Sequence, residues 1–326
     1  FTLAIILGGQ LVDNIGMKKG MWLAFICHAI GITLTLTAYD FSSLFIATIV
    51  MGLGNGMVEA VCNPLVASMY PLDKTKMLNR FHLWWPAGIV IGSIASLMLM
   101  DIMGLSWQMM VGSLFIPLVF YGYLLIGQNF PLTERVSLGI NQVDTYKSLA
   151  RPLFLFIAFC MLLSATTELG TMQRIESLLK ETGVNALLVL AFINGIMIIG
   201  RALAGSIVIK IKTTGMLFLS SIFAFAGLQL LANSSGSFVF IAAAFFAIGV
   251  TFFWPTTLAF ISENIPESGA FGMSLIGGLG MLSVSLVLPL MGRFLDNSVG
   301  AEVIQKMSIL PFALIFLYGG LYLRKR

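Results

Sequence analysis

Charged residues make up only 10% of this 326-residue chain, against roughly 25% in a soluble domain. That scarcity excludes a bundle of water-soluble helices, because nothing supplies a polar face to the outer ones. Histidine is almost absent, at two residues. There is also no pair of carboxylates and no nucleophile–base spacing, which leaves an enzyme without its working groups. The three cysteines, Cys27, Cys62 and Cys160, sit in apolar segments without metal-ligand spacing. They read as reduced packing residues, with no disulfide framework and no metal or other cofactor expected. A cleavable signal peptide is not visible. The net charge of +4 does not indicate nucleic acid, because the positive residues lie in short loops between apolar runs.

What the chain has in abundance is apolar length. It is 58% hydrophobic with a mean hydropathy of +0.98, and its apolar runs approach the ~20 residues that span a bilayer as a helix. Spans are expected at roughly 1–12, 21–38, 44–70, 76–100, 107–127, 152–172, 186–209, 214–232, 238–262, 270–290 and 308–323. This is an all-α polytopic membrane protein of about eleven spans. Lysine and arginine set its orientation. Alternate loops hold Lys18, Lys19, Lys74, Lys76, Arg80, Arg135, Lys147, Arg151, Lys210, Lys212 and the tail Arg324, Lys325, Arg326, whereas the others hold Arg174, Lys180, Arg293 and Lys306. The first set is expected to be cytoplasmic, and the C-terminus with it. The chain opens on Phe1 inside an apolar run, so an N-terminal truncation with one missing upstream helix is expected. The longest polar segment, 128–151, divides five spans from six. One missing helix would make this a six-plus-six arrangement, the repeated-half construction common among transporters.

Within the apolar runs a few polar residues demand a reason, since a charged side chain at the bilayer centre costs at least ~2.5–3.5 kcal/mol. Glu59 lies mid-span. Gly52, Asn55 or Gly56, Glu59 and Asn63 recur at helical spacing and share one face. Pro64 cannot bond the carbonyl of Ala60, which leaves a free acceptor nearby. Such groups are tolerated where they line water or protein, so Glu59 reads as a proton-coupling residue, or else as a glutamate bonded to a neighbouring helix. His82 and Trp84-Trp85 precede Pro86 and read as a solute platform or as an interfacial aromatic belt. Glu168, among Ser164, Thr166, Thr167, Thr171 and Gln173, is a solute ligand or headgroup-level polarity. Asn194 binds solute or a backbone carbonyl. Arg201 is expected near the cytoplasmic side, snorkelling, in a structural or gating role. Trp254, with Thr251 and Thr257 beside Pro255, is a further solute candidate. Glycines 272, 277, 278 and 280 read as close packing, since no strand precedes them to form a phosphate cradle.

Gly9, Asp13, Gly16, Lys18 and Lys19 form a G-x3-D-x2-G-x-K pattern. It resembles the signature that follows the second helix in the major facilitator superfamily. Gly200-Arg201 and Gly205, with Lys210 and Lys212, repeat it loosely, with Ile209 at the acidic position. Glu59-Ala-Val-Cys-Asn63-Pro64 resembles the E-x-x-x-N-P run of the fucose:proton symporter family. Leu78-Asn79 followed by Gly88, and Trp254-Pro255-Thr256 with Met291-Gly292 and Asp296, extend the likeness along the chain. Where that family carries amides in its fifth helix, His82 and Trp85 stand here, which leaves the particular sugar open. The resemblance implies a bundle over 1–127 (family helices two to six), a cytoplasmic loop over 128–151, and a second bundle over 152–326 (family helices seven to twelve). It also implies a secondary transporter in which Glu59 couples protons. Asn55, Asn63, His82, Trp85, Glu168, Asn194 and Trp254 would bind solute, and Asp13, Gly16, Lys18 and Arg201 would gate.

The expected function is proton-coupled symport of a monosaccharide or similar small polar solute, by a monomer in the lipid bilayer of a bacterial inner membrane, with no nucleic-acid partner. Protons are preferred to sodium because one isolated carboxylate suits a titrating switch, whereas sodium wants several converging oxygens. Alternatives are a drug or metabolite exporter of the same superfamily and a receptor of this fold that carries no flux.

Overall fold

The computed structural model describes residues 1–325, so Arg326 of the basic tail lies outside the described residues. The fold is helical throughout, with no strand among those residues. In chain order the helices are α1 (Thr2–Ile15), α2 (Met17–Leu36), α3 (Phe41–Met69), α4 (Lys74–His82), α5 (Trp84–Ser96), α6 (Trp107–Gly112), α7 (Phe115–Leu125), α8 (Glu134–Ser137) and α9 (Gln142–Leu149). They continue as α10 (Pro152–Ala165), α11 (Thr171–Gln173), α12 (Ile175–Leu178), α13 (Ala186–Ala232), α14 (Phe238–Val250), α15 (Phe253–Asn264), α16 (Gly269–Leu295), α17 (Gly300–Met307) and α18 (Ile309–Arg324). Several consecutive helices join into longer apolar rods. Nine such rods among the described residues are long and apolar enough to cross a membrane, and Thr2–Ile15 is a shorter apolar helix.

The expected spans map onto these helices. The expected pair at roughly 186–209 and 214–232 forms the two arms of α13. It breaks at Lys212, whose φ of 56° and ψ of 168° are not helical. Lys212 is the one non-glycine residue with positive φ among those described. Neither glycine nor proline marks this turn.

Helix ends follow local chemistry. Asp40 caps α3: its carboxylate accepts from the Ser43 N–H at 2.7 Å, and the Ser43 hydroxyl oxygen accepts from the Asp40 N–H at 3.1 Å. This reciprocal box satisfies two donors that the first helical turn would otherwise leave open. Ser43 holds the exposed Asp40 carboxyl below the usual carboxylate range, through its side chain first and its backbone second. Between α1 and α2 the chain turns at Gly16, where φ is 87° and ψ is 151°, a conformation open to a residue without Cβ.

By contact the chain forms two compact units. The first comprises Phe1–Pro71, Ile91–Arg151 and Ile265–Gly278. Its core joins Val12, Met17, Ala24, Met57 and Val61 from α1, α2 and α3. The second comprises Leu72–Val90, Pro152–Asn264 and Leu279–Arg326. Here α13 and α14 approach so closely that a Cβ on Gly227 would lie 2.2 Å from the Phe246 nitrogen, and one on Gly249 2.2 Å from the Ala224 nitrogen. Two helices are thereby shared. The first turns of α16 belong to the first unit, and α4 with the start of α5 belongs to the second.

The close approach predicts a stability difference. Gly227→Ala or Gly249→Ala overpacks the contact and should cost about 1–3 kcal/mol, lowering the thermal midpoint in detergent. Gly320→Ala, whose Cβ would meet nothing within 4 Å, should leave the midpoint unchanged or raise it slightly. Equal midpoints for Gly227→Ala and Gly320→Ala would show that the approach carries no strain.

Candidate functional site

The candidate residues fall into two groups, one in each unit. In the first unit, Glu59 stands half-buried in α3. The Asn63 amide donates to its Oε2 at 2.7 Å and to its backbone carbonyl at 3.0 Å. The i,i+4 spacing places both side chains on one face, and Asn63 itself is buried. Asn55, one turn earlier, turns to a different partner. Its Oδ1 is 3.0 Å from His28 Nε2, and His28 Nδ1 is 3.1 Å from the Tyr121 hydroxyl. With Nε2 protonated, His28 donates to Asn55 and accepts from Tyr121. Sequence reasoning passed over His28 and Tyr121. The available signal was a histidine inside an apolar span, which is rare enough to demand a partner.

At one end of this unit Asp13 is paired with a residue of the 128–151 segment. Arg135 Nε donates to Asp13 Oδ2 at 2.8 Å and the Thr133 hydroxyl to Oδ1 at 2.7 Å. The same guanidinium donates through Nη1 to the Ile140 carbonyl at 3.1 Å. The start of α16 is close by: a Cβ on Gly269 would meet Arg135 Cβ at 2.7 Å, and one on Gly9 would meet the Ala270 carbonyl at 3.0 Å. Asp13 thus lies in the neighbourhood of that helix start, but its two oxygens are spent on Arg135 and Thr133. Asp13 and Thr133 also line a cavity of about 430 Å³ with Gly16, Lys18, Asn129 and Phe130.

In the second unit the centre is Arg201, 1% exposed. Its Nη2 donates to Glu168 Oε1 at 3.0 Å, its Nε to the Thr251 carbonyl at 2.8 Å, and its Nη1 to the His82 carbonyl at 2.9 Å. The acceptors are not arbitrary. Proline cannot bond the carbonyl four residues before it, so Pro86 frees that of His82 and Pro255 that of Thr251. One guanidinium satisfies both. The expectation that Arg201 snorkels toward an interface is corrected here. Three acceptors inside the protein hold it more strongly than water at the membrane surface would. Glu168 is likewise buried, 2% exposed, within a turn of π-helix over Thr166–Gly170.

The remaining candidates surround this centre or leave it. Asn194 is buried on α13 and donates to the Leu190 carbonyl at 2.8 Å. Trp254 is 8% exposed, and its ring lies against Gly280. The His82 side chain is buried, whereas Trp85 is 44% and Trp84 66% exposed. The first turns of α4 are gripped by the end of α15. Lys74 Nζ donates to the Ser262 carbonyl at 2.9 Å, the Thr75 N–H and hydroxyl donate to Glu263 Oε1 at 3.2 and 2.6 Å, and Asn79 donates to the Thr256 hydroxyl at 3.1 Å. Glu263 thus sits on a helix N-terminus, where a carboxylate is favoured. Sequence reasoning missed Lys74, Thr75 and Glu263 because no local pattern joins residues 188 positions apart.

Long apolar helices with a few charges buried on internal partners define a polytopic membrane protein of the transporter type. The chain belongs to the major facilitator superfamily, whose family model matches residues 1–288. Solved structures agree in fold. The E. coli fucose:proton symporter FucP matches with a TM-score of 0.79 at 17% identity, over 98% of this chain and 87% of that one. A second FucP structure, in the outward conformation, gives 0.80 at 18%, over 98% and 86%. The proton:xylose symporter XylE gives 0.77 at 14%, over 97% and 82%. The human organic anion transporter MFSD10 gives 0.77 at 13%, over 97% and 80%. No curated protein sequence matches the chain.

The Asp13–Arg135 pair is almost wholly buried, with side chains 5% and 10% exposed. Asp13→Leu strands the arginine and should cost about 3–5 kcal/mol, whereas the double change Asp13→Leu/Arg135→Met should recover most of that loss. Thermal unfolding of the two variants checks it. A double variant as unstable as the single one would show that the carboxylate serves more than this pair.

Proposed function

We propose that the chain is a secondary active transporter that couples proton movement to symport of a monosaccharide or similar small polar solute by alternating access. The observation that carries this reading is the carboxylate of Glu59, set mid-helix against the amide of Asn63 and immediately before Pro64. An amide can bond either protonation state of a carboxyl, donating to the anion or accepting from the acid. Glu59 can therefore change charge without losing its partner. A neutral Glu59 lets the loaded carrier reorient cheaply. An ionised one favours the state that offers water or a cation, and this difference between states is what coupling requires.

The solute class rests on the donors and rings present. Asn55, Asn63, His82, Glu168 and Asn194 supply hydrogen-bonding groups, and Trp85 and Trp254 supply faces for the C–H side of a sugar. Two structural neighbours, a fucose:proton and a xylose:proton symporter, support the same class for this chain. Asp13, Gly16, Lys18 and Arg201 take gating roles in this reading, as a monomer in a bacterial inner membrane with its C-terminus inside.

Two outcomes test it in proteoliposomes. Glu59→Gln mimics the protonated carboxyl and should abolish pH-driven uphill uptake of labelled monosaccharide while preserving counterflow. Continued accumulation against a gradient would remove Glu59 from the coupling step. Trp254→Ala should weaken solute binding by about tenfold, the scale of one aromatic contact. Binding of organic anions in place of sugars by the unaltered protein would instead favour an exporter.

A further inference from the structure

One cavity of the second unit takes no part in the proposed function. Its volume is about 540 Å³, within the ~300–1,000 Å³ range of ligand pockets. All the residues that line it belong to that unit. α16 contributes Leu279, Leu282, Leu286, Leu290 and Phe294, which recur at helical spacing and so form one stripe. The end of α10 and the pair α17–α18 supply the other walls. Leu282, Leu286 and Leu290 stay exposed, so the cavity is a groove open along this stripe.

The lining is the wrong chemistry for a polar solute. Thr166, Ser283 and Lys306 are its polar side chains, and the Ser283 hydroxyl already donates to the Gly280 carbonyl at 2.7 Å. Too few donors and acceptors remain to replace the water around a sugar. In a bilayer the medium that meets such a wall is hydrocarbon. Lipid tails are as apolar as leucine, so a chain enters for close contact rather than to escape water. A wall left without neighbours forfeits its dispersion contacts.

The charge at one end selects among lipids. From Leu279 to Phe294 the stripe runs about 22 Å at ~1.5 Å per residue, enough to hold a chain through the roughly 15 Å of hydrocarbon in one leaflet. Lys306 closes the Phe294 end. Its ammonium lies 4.9 Å from the centroid of that ring, close enough for a cation–π contact. It joins no ion pair among the described residues, and Glu302, one turn earlier on α17, is not bridged to it. A cation at the head of a groove of acyl length complements a phosphodiester, most fully one whose headgroup brings no ammonium of its own. We propose that this groove binds one anionic glycerophospholipid, with an acyl chain along the α16 stripe and the phosphate on Lys306.

The site stands apart from the solute reading, and its test needs no solute. The purified protein is titrated with phosphatidylglycerol and, separately, with phosphatidylcholine of the same chains, and bound lipid is counted by native mass spectrometry. The unaltered protein should retain one phosphatidylglycerol about fivefold more tightly, the scale of one basic residue at an anionic membrane surface. Lys306→Gln should bring the two lipids to equal retention, whereas Lys180→Gln, outside the lining, should keep the preference. Leu286→Trp fills the groove and should lower retention of both lipids. Equal retention by the unaltered protein would overturn the proposal, as would a preference that survives Lys306→Gln or falls as far in Lys180→Gln. A dimer that dissociates in Leu286→Trp with lipid retention unchanged would give the groove to a second copy instead. The lipid comparison and Lys306→Gln decide the matter even where the tryptophan variant does not fold.

Discussion

Backbone carbonyls that lose their helical partner in an apolar medium must find another inside the protein, and in the second unit that constraint converges on Arg201. Two prolines break two different helices, and each break exposes one carbonyl. The guanidinium reaches both, at 2.8 and 2.9 Å, and keeps a third arm for Glu168. A lysine could not do this, because an ammonium is a compact donor without a planar fork. The weakest points of α4–α5 and α14–α15 are thus joined through one side chain. A charge-assisted hydrogen bond contributes about 1.5–3 kcal/mol. Three such bonds offset the cost of placing the charge, which for an arginine at a helix centre is at least ~2.5–3.5 kcal/mol.

The same logic of buried charge serves each unit where it takes in a piece of helix from elsewhere in the chain. The first turns of α4 are fixed by Glu263 on their N–H and hydroxyl groups and by Lys74 on the Ser262 carbonyl. The start of α16 lies beside Arg135, which is itself held by Asp13. In both cases a polar grip at a helix start is paired with apolar packing further along. A backbone approach such as that of Gly227 to Phe246 cannot loosen without opening a void, so polar grips lie at the helix starts and the closest backbone packing lies within α13 and α14.

The fold was legible from hydropathy because each span announces itself by length alone, and the family from the Gly9–Lys19 loop. The geometry of Glu59 and Asn63 was legible for a similar reason, since i,i+4 neighbours on a helix touch whatever else the chain does. The break at Lys212 could be placed only as a gap between apolar runs, because its positive φ is imposed on a residue with no such preference. Arg201 was visible as a charge in a span, but its partners lie 33, 50 and 119 positions away in sequence. Two of them are backbone atoms, whose availability depends on Pro86 and Pro255, each four residues further along. Charge without a visible partner was therefore assigned to the membrane surface, where Arg201 is not.

The two intramembrane glutamates differ in the reach of their partners, and this separates what each can do. Glu59 is bonded by an amide on its own helix, and an amide can bond either protonation state of a carboxyl. Glu168 is bonded by a cation from another helix that in turn holds the carbonyls of His82 and Thr251. The Asn63 bond lies within one helix, whereas the Arg201 bonds run to three other chain segments, so the two carboxylates differ in what their partners hold together: one turn of α3 in the first case, two proline breaks in the second.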